Sequence, residues 1–346
     1  MKRPHDILVT RFSAMGDVAM LASVVRRAAA QNPHVRLHVV TRKGFEPFFL
    51  FGGAPSNMEV AGVDLKDKRY SSLPGVVRLA AECRKRYCPD AVADMHSSLR
   101  SRIIRLFMRL CGIGAAVIDK QRRGRRLLTR RHNKTMRPLR PMTECYADVL
   151  RSLGMTVTLT ESIRRQRHLS PFFNDHSSGA PAVGVAPFAR HEGKIYPVEL
   201  MEQVIKRLSD CGCDIFVFGG GDKEKAVAGS WAGSYDRVVS VIGRLDMEGE
   251  MALMSNLDAM VSMDSASQHI ASLVGLPVVS VWGATHPYAG FGGYGQETDD
   301  MIGDSVGCRP CSIFGNRTCY KGTRECMRNI DPMVIADKVL ARLGLS

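Results

Sequence analysis

The stretch Ile7-Leu-Val-Thr-Arg-Phe-Ser-Ala-Met-Gly-Asp17 decides the fold. Residues 7–12 are a short apolar run that reads as a strand, and the strand breaks into a turn that delivers a carboxylate, Asp17, to the start of a helix. Ser13 is the expected N-cap, and Gly16 lets the backbone approach a ligand. Val18, Leu21 and Val25 form the apolar stripe of a helix over residues 18–31. Taken alone, Asp17 needs no more purpose than to complement the positive end of that helix. Working outward, the same strand-then-helix unit recurs. A second strand is expected over residues 36–41, a helix over 73–86, a short buried strand over 91–94, a helix over 101–110 and another over 142–154. Such alternation predicts an α/β chain with parallel, doubly wound sheets and ligands at the carboxyl ends of the strands, where Asp17, Asp94 and His96 all fall.

Residues 164–182, rich in Ser, Pro, Asn, Asp and Gly, read as an interdomain connection, after which the alternation starts again. Strands are expected over residues 183–186, 214–218, 238–241, 259–262 and 278–282, with helices over 198–211, 247–255 and 265–274. The expected domains are therefore residues 1–165 and 180–330, two similar units facing a cleft. An amphipathic closing segment follows over 331–346.

A chain of 346 residues with 45% hydrophobic content has material for two cores. No apolar run approaches the ~18 residues that span a bilayer, and the N-terminal run is too short for a signal peptide, so a cytosolic protein is expected. In that compartment the ten cysteines read as reduced thiols or metal ligands. The net charge of +14 is concentrated in the first half. Arg100, Arg102, Arg105 and Arg109 fall at helical spacing, where a solvated face explains them. The denser run Lys120-Gln-Arg-Arg-Gly-Arg-Arg126, holding Arg122, Arg123, Arg125 and Arg126, and the run Arg130-Arg-His-Asn-Lys134 call for an anionic partner. Aromatic residues are 7% and none interleave with this cluster, so the stacking surface of a nucleic-acid binder is missing and no nucleic acid is expected.

Three segments of the second unit carry chemistry. The consecutive Gly219, Gly220 and Gly221 do not fit the G-x-G-x-x-G dinucleotide pattern, but they make a tight turn near Glu224, which is placed to accept hydrogen bonds from a ribose. In Met263-Asp-Ser-Ala-Ser-Gln-His269, Asp264 or Ser265 is expected to cap a helix whose first N–H groups suit a diphosphate. In Pro187-Phe-Ala-Arg-His-Glu-Gly-Lys-Ile-Tyr-Pro197, a loop after a strand presents Arg190 and Lys194. Near the C-terminus, Cys308, Cys311, Cys319 and Cys326 have a spacing that suits a tetrahedral structural Zn²⁺ as well as ordinary loop thiols.

Arg11-Phe-Ser-Ala-Met-Gly-Asp17 resembles the opening motif of the lipopolysaccharide heptosyltransferase family, bacterial enzymes that move a sugar from a nucleotide donor onto a growing lipopolysaccharide core. Residues 263–269 are similar to the family's D-T/S-G-x-x-H motif, with Ala266 where the family usually has Gly. Residues 187–197 match its phosphate-binding lysine, with Tyr196 where Trp is commoner. The resemblance runs from Ile7 to Pro287 and implies the GT-B architecture, with the closing helix returning to the first domain.

It also implies roles. Asp17 is the catalytic base; Arg190, Lys194, Glu224, Asp264, Ser265, Ala266 and His269 bind the donor. Ser13, Gly16, Asp94, His96 and the arginines of residues 122–126 are expected on the acceptor side. The expected reaction is inverting transfer of heptose from ADP-heptose to a phosphorylated glycolipid at the inner membrane surface, by a monomer peripheral to that membrane. No cofactor is required, and the absence of any Asp-x-Asp sequence agrees with cationic side chains and a helix end doing the work of a divalent ion. Two rivals remain: a sugar-nucleotide epimerase on the same fold, against which the basic acceptor-side segment counts, and a basic nucleic-acid-binding protein.

Overall fold

The computed structural model describes residues 4–159 and 163–345. In chain order the elements are β1 (Asp6–Thr10), α1 (Met15–Gln31), β2 (Arg36–Arg42), α2 (Pro47–Leu50), β3 (Met58–Val63), α3 (Lys68–Ser71), α4 (Leu73–Tyr87), β4 (Ala91–Asp94), α5 (Leu99–Leu110) and β5 (Gly114–Val117). Then come α6 (Arg122–Leu128), α7 (Met142–Ser152), α8 (Pro171–His176), β6 (Ala182–Ala186), α9 (Val198–Asp210), β7 (Asp214–Val217), α10 (Asp222–Ser234) and β8 (Val238–Ser240). The chain ends with α11 (Met247–Asn256), β9 (Ala259–Met263), α12 (Ala266–Leu273), β10 (Val278–Val281), β11 (Met301–Ile302), α13 (Glu325–Arg328) and α14 (Pro332–Leu343).

The chain divides into two compact units, Met1–Lys120 with Met142–Thr160, and Gln121–Pro141 with Glu161–Ser346. In the first, five strands run in the order β3-β2-β1-β4-β5 and their four pairings are all parallel. Central strands β1 and β4 are buried throughout and carry Ile, Leu, Val and Ala on both faces, as a sheet covered on both sides demands. The edge strands β3 and β5 escaped the sequence reading because both are half-exposed, β3 being interrupted by Glu59 and Gly62 and β5 being mostly Gly and Ala, which blurs the apolar signal.

The second unit holds a parallel sheet of order β11-β10-β9-β6-β7-β8. Its core joins Val183, Val185, Val261 and Val279 to Val204 and Leu208 of α9 and to Ile335, Val339 and Leu340 of α14. The closing helix α14 packs on α9, β9 and β10 of the second unit, and its apolar stripe is buried there. Tyr196 sets this up: its buried hydroxyl donates to the carbonyl of Ile330 at 2.6 Å, pinning the chain just ahead of the helix. The connection expected over residues 164–182 contains α8, capped by the Ser170 hydroxyl accepting from the Phe173 N–H at 3.3 Å.

Candidate active site

In the first unit, β1 and β4 pair with Thr10 opposite Asp94, so the segments that leave their carboxyl ends emerge side by side. Arg11 follows β1 and is buried. Its guanidinium meets Asp17 at 2.9 Å, donates to the carbonyl of Met95, and lies over the Tyr146 ring at 5.3 Å. The Tyr146 hydroxyl donates to the same Asp17 oxygen at 3.3 Å, and the Ala14 N–H donates to the other at 3.3 Å. Asp17 is thus a half-buried carboxylate in the first turn of α1, oriented from three directions. Arg11 and Tyr146 are the partners that sequence reasoning missed. Arg11 lay inside the quoted motif, but nothing in the sequence brings Tyr146 of α7 to it.

Ser13 is not the N-cap of α1. Ala14 occupies that position, and the Ser13 hydroxyl is 3.2 Å from Nε2 of His96. The Ser13–Ala14 peptide is cis. Gly16 lies half-buried in the same first turn. His96 is half-buried, and burial together with the charges of Arg11 and Lys120 drives its pKa down to about 4, so the ring is neutral at physiological pH. Asp94 is fully buried. It accepts from the N–H groups of His96 and Ser97 and pairs with Arg105 at 3.0 Å, so it shapes the turn that presents His96 and cannot itself face an acceptor.

In the second unit, β6 and β9 pair with Ala186 opposite Ser262, which brings the loop after β6 to the loop before α12. Lys194 ends a single 3₁₀ turn, Glu192–Lys194, and its ammonium meets the Asp264 carboxylate at 2.8 Å. The other Asp264 oxygen accepts from Gln268 at 3.1 Å. Asp264 therefore anchors Lys194 instead of capping the helix. Ser265 is the N-cap and makes no side-chain cap bond, so the first turn of α12, from Ala266 toward the buried His269, lacks a side-chain acceptor. A fixed ammonium beside an uncapped helix N-terminus is a seat for an anion.

Gly315 completes the seat, and no sequence signal marks it. Its φ is +70°, and a Cβ there would lie 2.5 Å from Cγ of Lys194, so only glycine leaves room for the lysine stem. Glu224, on α10, accepts from the Gly220 N–H at 2.7 Å, and a Cβ on Gly219 would strike that carboxylate, which explains the glycine run. Arg190 is exposed and borders the cysteine cavity described next.

Cys308, Cys311, Cys319 and Cys326 line one cavity of about 190 Å³. Among the described residues no group of three or more His, Cys, Asp or Glu is arranged to hold a metal ion. Their thiols differ. Burial pushes Cys326 up to about 11 and raises Cys311. Burial also acts on Cys319, but the N–H groups of Arg324, Lys321, Gly322 and Thr323 outweigh it and hold that thiol below its ordinary value.

The basic segment belongs with this unit, whereas the sequence had placed it in the first. It forms α6, with Leu128 buried and Arg125 over the Phe291 ring at 4.9 Å, while Arg122, Arg123 and Arg126 are exposed. Beyond it, Arg131 stacks on Tyr320 at 4.4 Å, and Lys134 donates to the carbonyls of Cys308 and Pro310 at 2.5 and 2.6 Å. The glycine among four arginines had hidden the helix.

The model of glycosyltransferase family 9 (heptosyltransferase) matches residues 77–317. The chain belongs to glycosyltransferase family 9. A lipopolysaccharide heptosyltransferase 1 of Pseudomonas aeruginosa is 24% identical over 183 residues, 49% of this chain and 50% of that protein, so the chain spans about half the length of the curated relative it matches. Among solved structures, a family 9 glycosyl transferase from Veillonella parvula superposes with a TM-score of 0.78 at 17% identity, covering 100% of this chain and 99% of that one. The E. coli ADP-heptose LPS heptosyltransferase II gives 0.68 at 18% identity, covering 98% of each chain. These likenesses establish the fold of the family 9 member described here, the GT-B architecture with two parallel sheets.

Proposed function

We propose that this family 9 protein is an inverting glycosyltransferase that moves a sugar, heptose from ADP-heptose in our reading, onto a lipopolysaccharide-core or related glycolipid acceptor. The observation that carries the proposal is the Lys194–Asp264 pair, 2.8 Å long and set against the uncapped start of α12. Lys194 has three N–H donors, of which Asp264 takes one. The others, with the helix N–H groups, receive the diphosphate, and they matter more as the bond from the anomeric carbon to the phosphate oxygen breaks and its electron pair leaves with the nucleotide. Asp17 takes the proton of the acceptor hydroxyl as that oxygen forms the new bond to the anomeric carbon. His96, neutral and tied to Ser13, hydrogen-bonds the acceptor; Glu224 holds the donor ribose. The heptose and ADP assignments are supported by the E. coli relative, whose name carries ADP-heptose.

No helix among the described residues is long and apolar enough to cross a membrane. In our reading the enzyme works as a monomer peripheral to the cytoplasmic face of the inner membrane, with exposed Arg122, Arg123 and Arg126 receiving acceptor phosphates. A thermal-shift series with ADP, UDP and GDP tests the donor side. ADP should stabilise the protein selectively, because a ligand that binds only the folded state raises its melting temperature. Equal or absent responses to the three would defeat the donor assignment.

A further inference from the structure

Helix α5 turns three leucines away from its own core. Its inner face, Ser101, Ile104 and Met108, is buried, while Leu99 is 68% exposed, Leu106 58% and Leu110 81%. At about 100° per residue these three side chains fall within about 40° of one another and opposite the buried set. A helix that simply borders water carries charged or polar residues in that position. Here the flank is basic instead. Residues 99–110 contain Arg100, Arg102, Arg105 and Arg109 and no acidic residue. Arg105 is committed to Asp94, whereas Arg102 and Arg109 are exposed and, among the described residues, form no ion pair.

We propose that this face of α5 is a membrane-docking surface, its leucines entering the headgroup boundary of a bilayer and Arg102 and Arg109 meeting the phosphates of anionic lipids. An apolar stripe with basic flanks and no acidic residue is the pattern of a helix lying in that interface. A second copy is the poorer occupant, because a two-fold contact through this face would bring the arginines of both copies together. The preference for a bilayer over a protein partner rests on the lipid-borne acceptor proposed above. The placement also serves that reaction. α5 begins three residues after His96, and its Arg105 grips the carboxylate that shapes the His96 turn, so seating the helix brings the carboxyl edge of the first sheet to the headgroups.

Flotation of the full-length protein with phosphatidylcholine vesicles, with and without phosphatidylglycerol, tests this in the absence of nucleotide and acceptor. The protein should float with the anionic vesicles and be released by salt. Leu106→Gln/Leu110→Gln should cut the vesicle-bound fraction at least tenfold, since about tenfold per leucine is available from burying such a side chain. Arg102→Gln/Arg109→Gln should lower binding by about fivefold per arginine at low salt. Both variants should keep the wild-type melting temperature and ADP response, because none of these side chains is buried or in the donor seat. Unchanged flotation in either variant overturns the proposal. So does a wild-type dimer in sedimentation that Leu106→Gln/Leu110→Gln dissociates, which would assign the face to a second copy. Loss of the ADP response with flotation intact would instead strike the glycosyltransfer reading and leave the docking surface standing.

Discussion

Replacing Lys194 by Met separates two roles that one side chain performs. The Lys194 and Asp264 side chains are 16% and 5% exposed, so removing the ammonium strands a carboxylate in a nearly dry place. Breaking a buried pair from one side costs about 3–5 kcal/mol; with Lys194 partly open to water the lower end, about 3 kcal/mol, is the appropriate value. For a unit of this size each kcal/mol moves the melting temperature by about 2–4 °C, which predicts a fall of about 6–12 °C for Lys194→Met. Adding Asp264→Asn removes the stranded charge and should recover most of that loss. Nucleotide affinity behaves differently. A charge-assisted contact is worth about 1.5–3 kcal/mol, so ADP should bind about 10- to 100-fold more weakly to Lys194→Met. The second substitution should not restore it, since the cation is still absent. Calorimetric melting and ADP titration of the two variants read both quantities. ADP affinity unchanged in Lys194→Met would refute the anion seat, and an unchanged melting temperature would refute the buried ion pair.

Other outcomes follow from the remaining geometry. Asp17→Asn should keep ADP binding while lowering turnover by about 10²-fold or more, because only proton removal is lost; wild-type turnover would remove Asp17 from the reaction. His96 and His286 are both held at about 4, so the folded state refuses protons that the unfolded state accepts below its ordinary value of 6.5. Stability is then present above that value and lost as pH falls from 6.5 toward 4, by less than the full shifts imply because solvent screens these partly open rings. Urea midpoints at pH 7 and 5 should show this, and His96→Gln should flatten the difference; an equal slope in the variant would deny His96 its share. Under limited alkylation at pH 8, Cys319 should label ahead of Cys311 and Cys326, as its thiolate accepts backbone N–H groups while theirs is opposed by burial. Mass spectrometry that finds Cys326 modified first would contradict that ordering.

The chain's local patterns determine a great deal without help. Apolar runs of four to seven residues followed by amphipathic helices dictate parallel sheets, because such strands must be covered on both faces. The sequence alone therefore places Asp17, Lys194, Asp264 and Glu224 at the ends of β-strands or the starts of helices, where ligands bind in such sheets. It fails where the signal lies in contact between distant segments. Tyr146 reaching Asp17, Gly315 making room for Lys194 and Arg125 lying over the Phe291 ring all join residues far apart in sequence. The basic segment and the closing helix follow the same rule. Periodicity shows that α14 has an apolar stripe, but which sheet covers it depends on where the chain has already been pinned, and Tyr196 pins it to the second unit. Periodicity reports only that a face needs covering; tertiary packing chooses the partner, because burial depends on the shape and position of the surface that is offered.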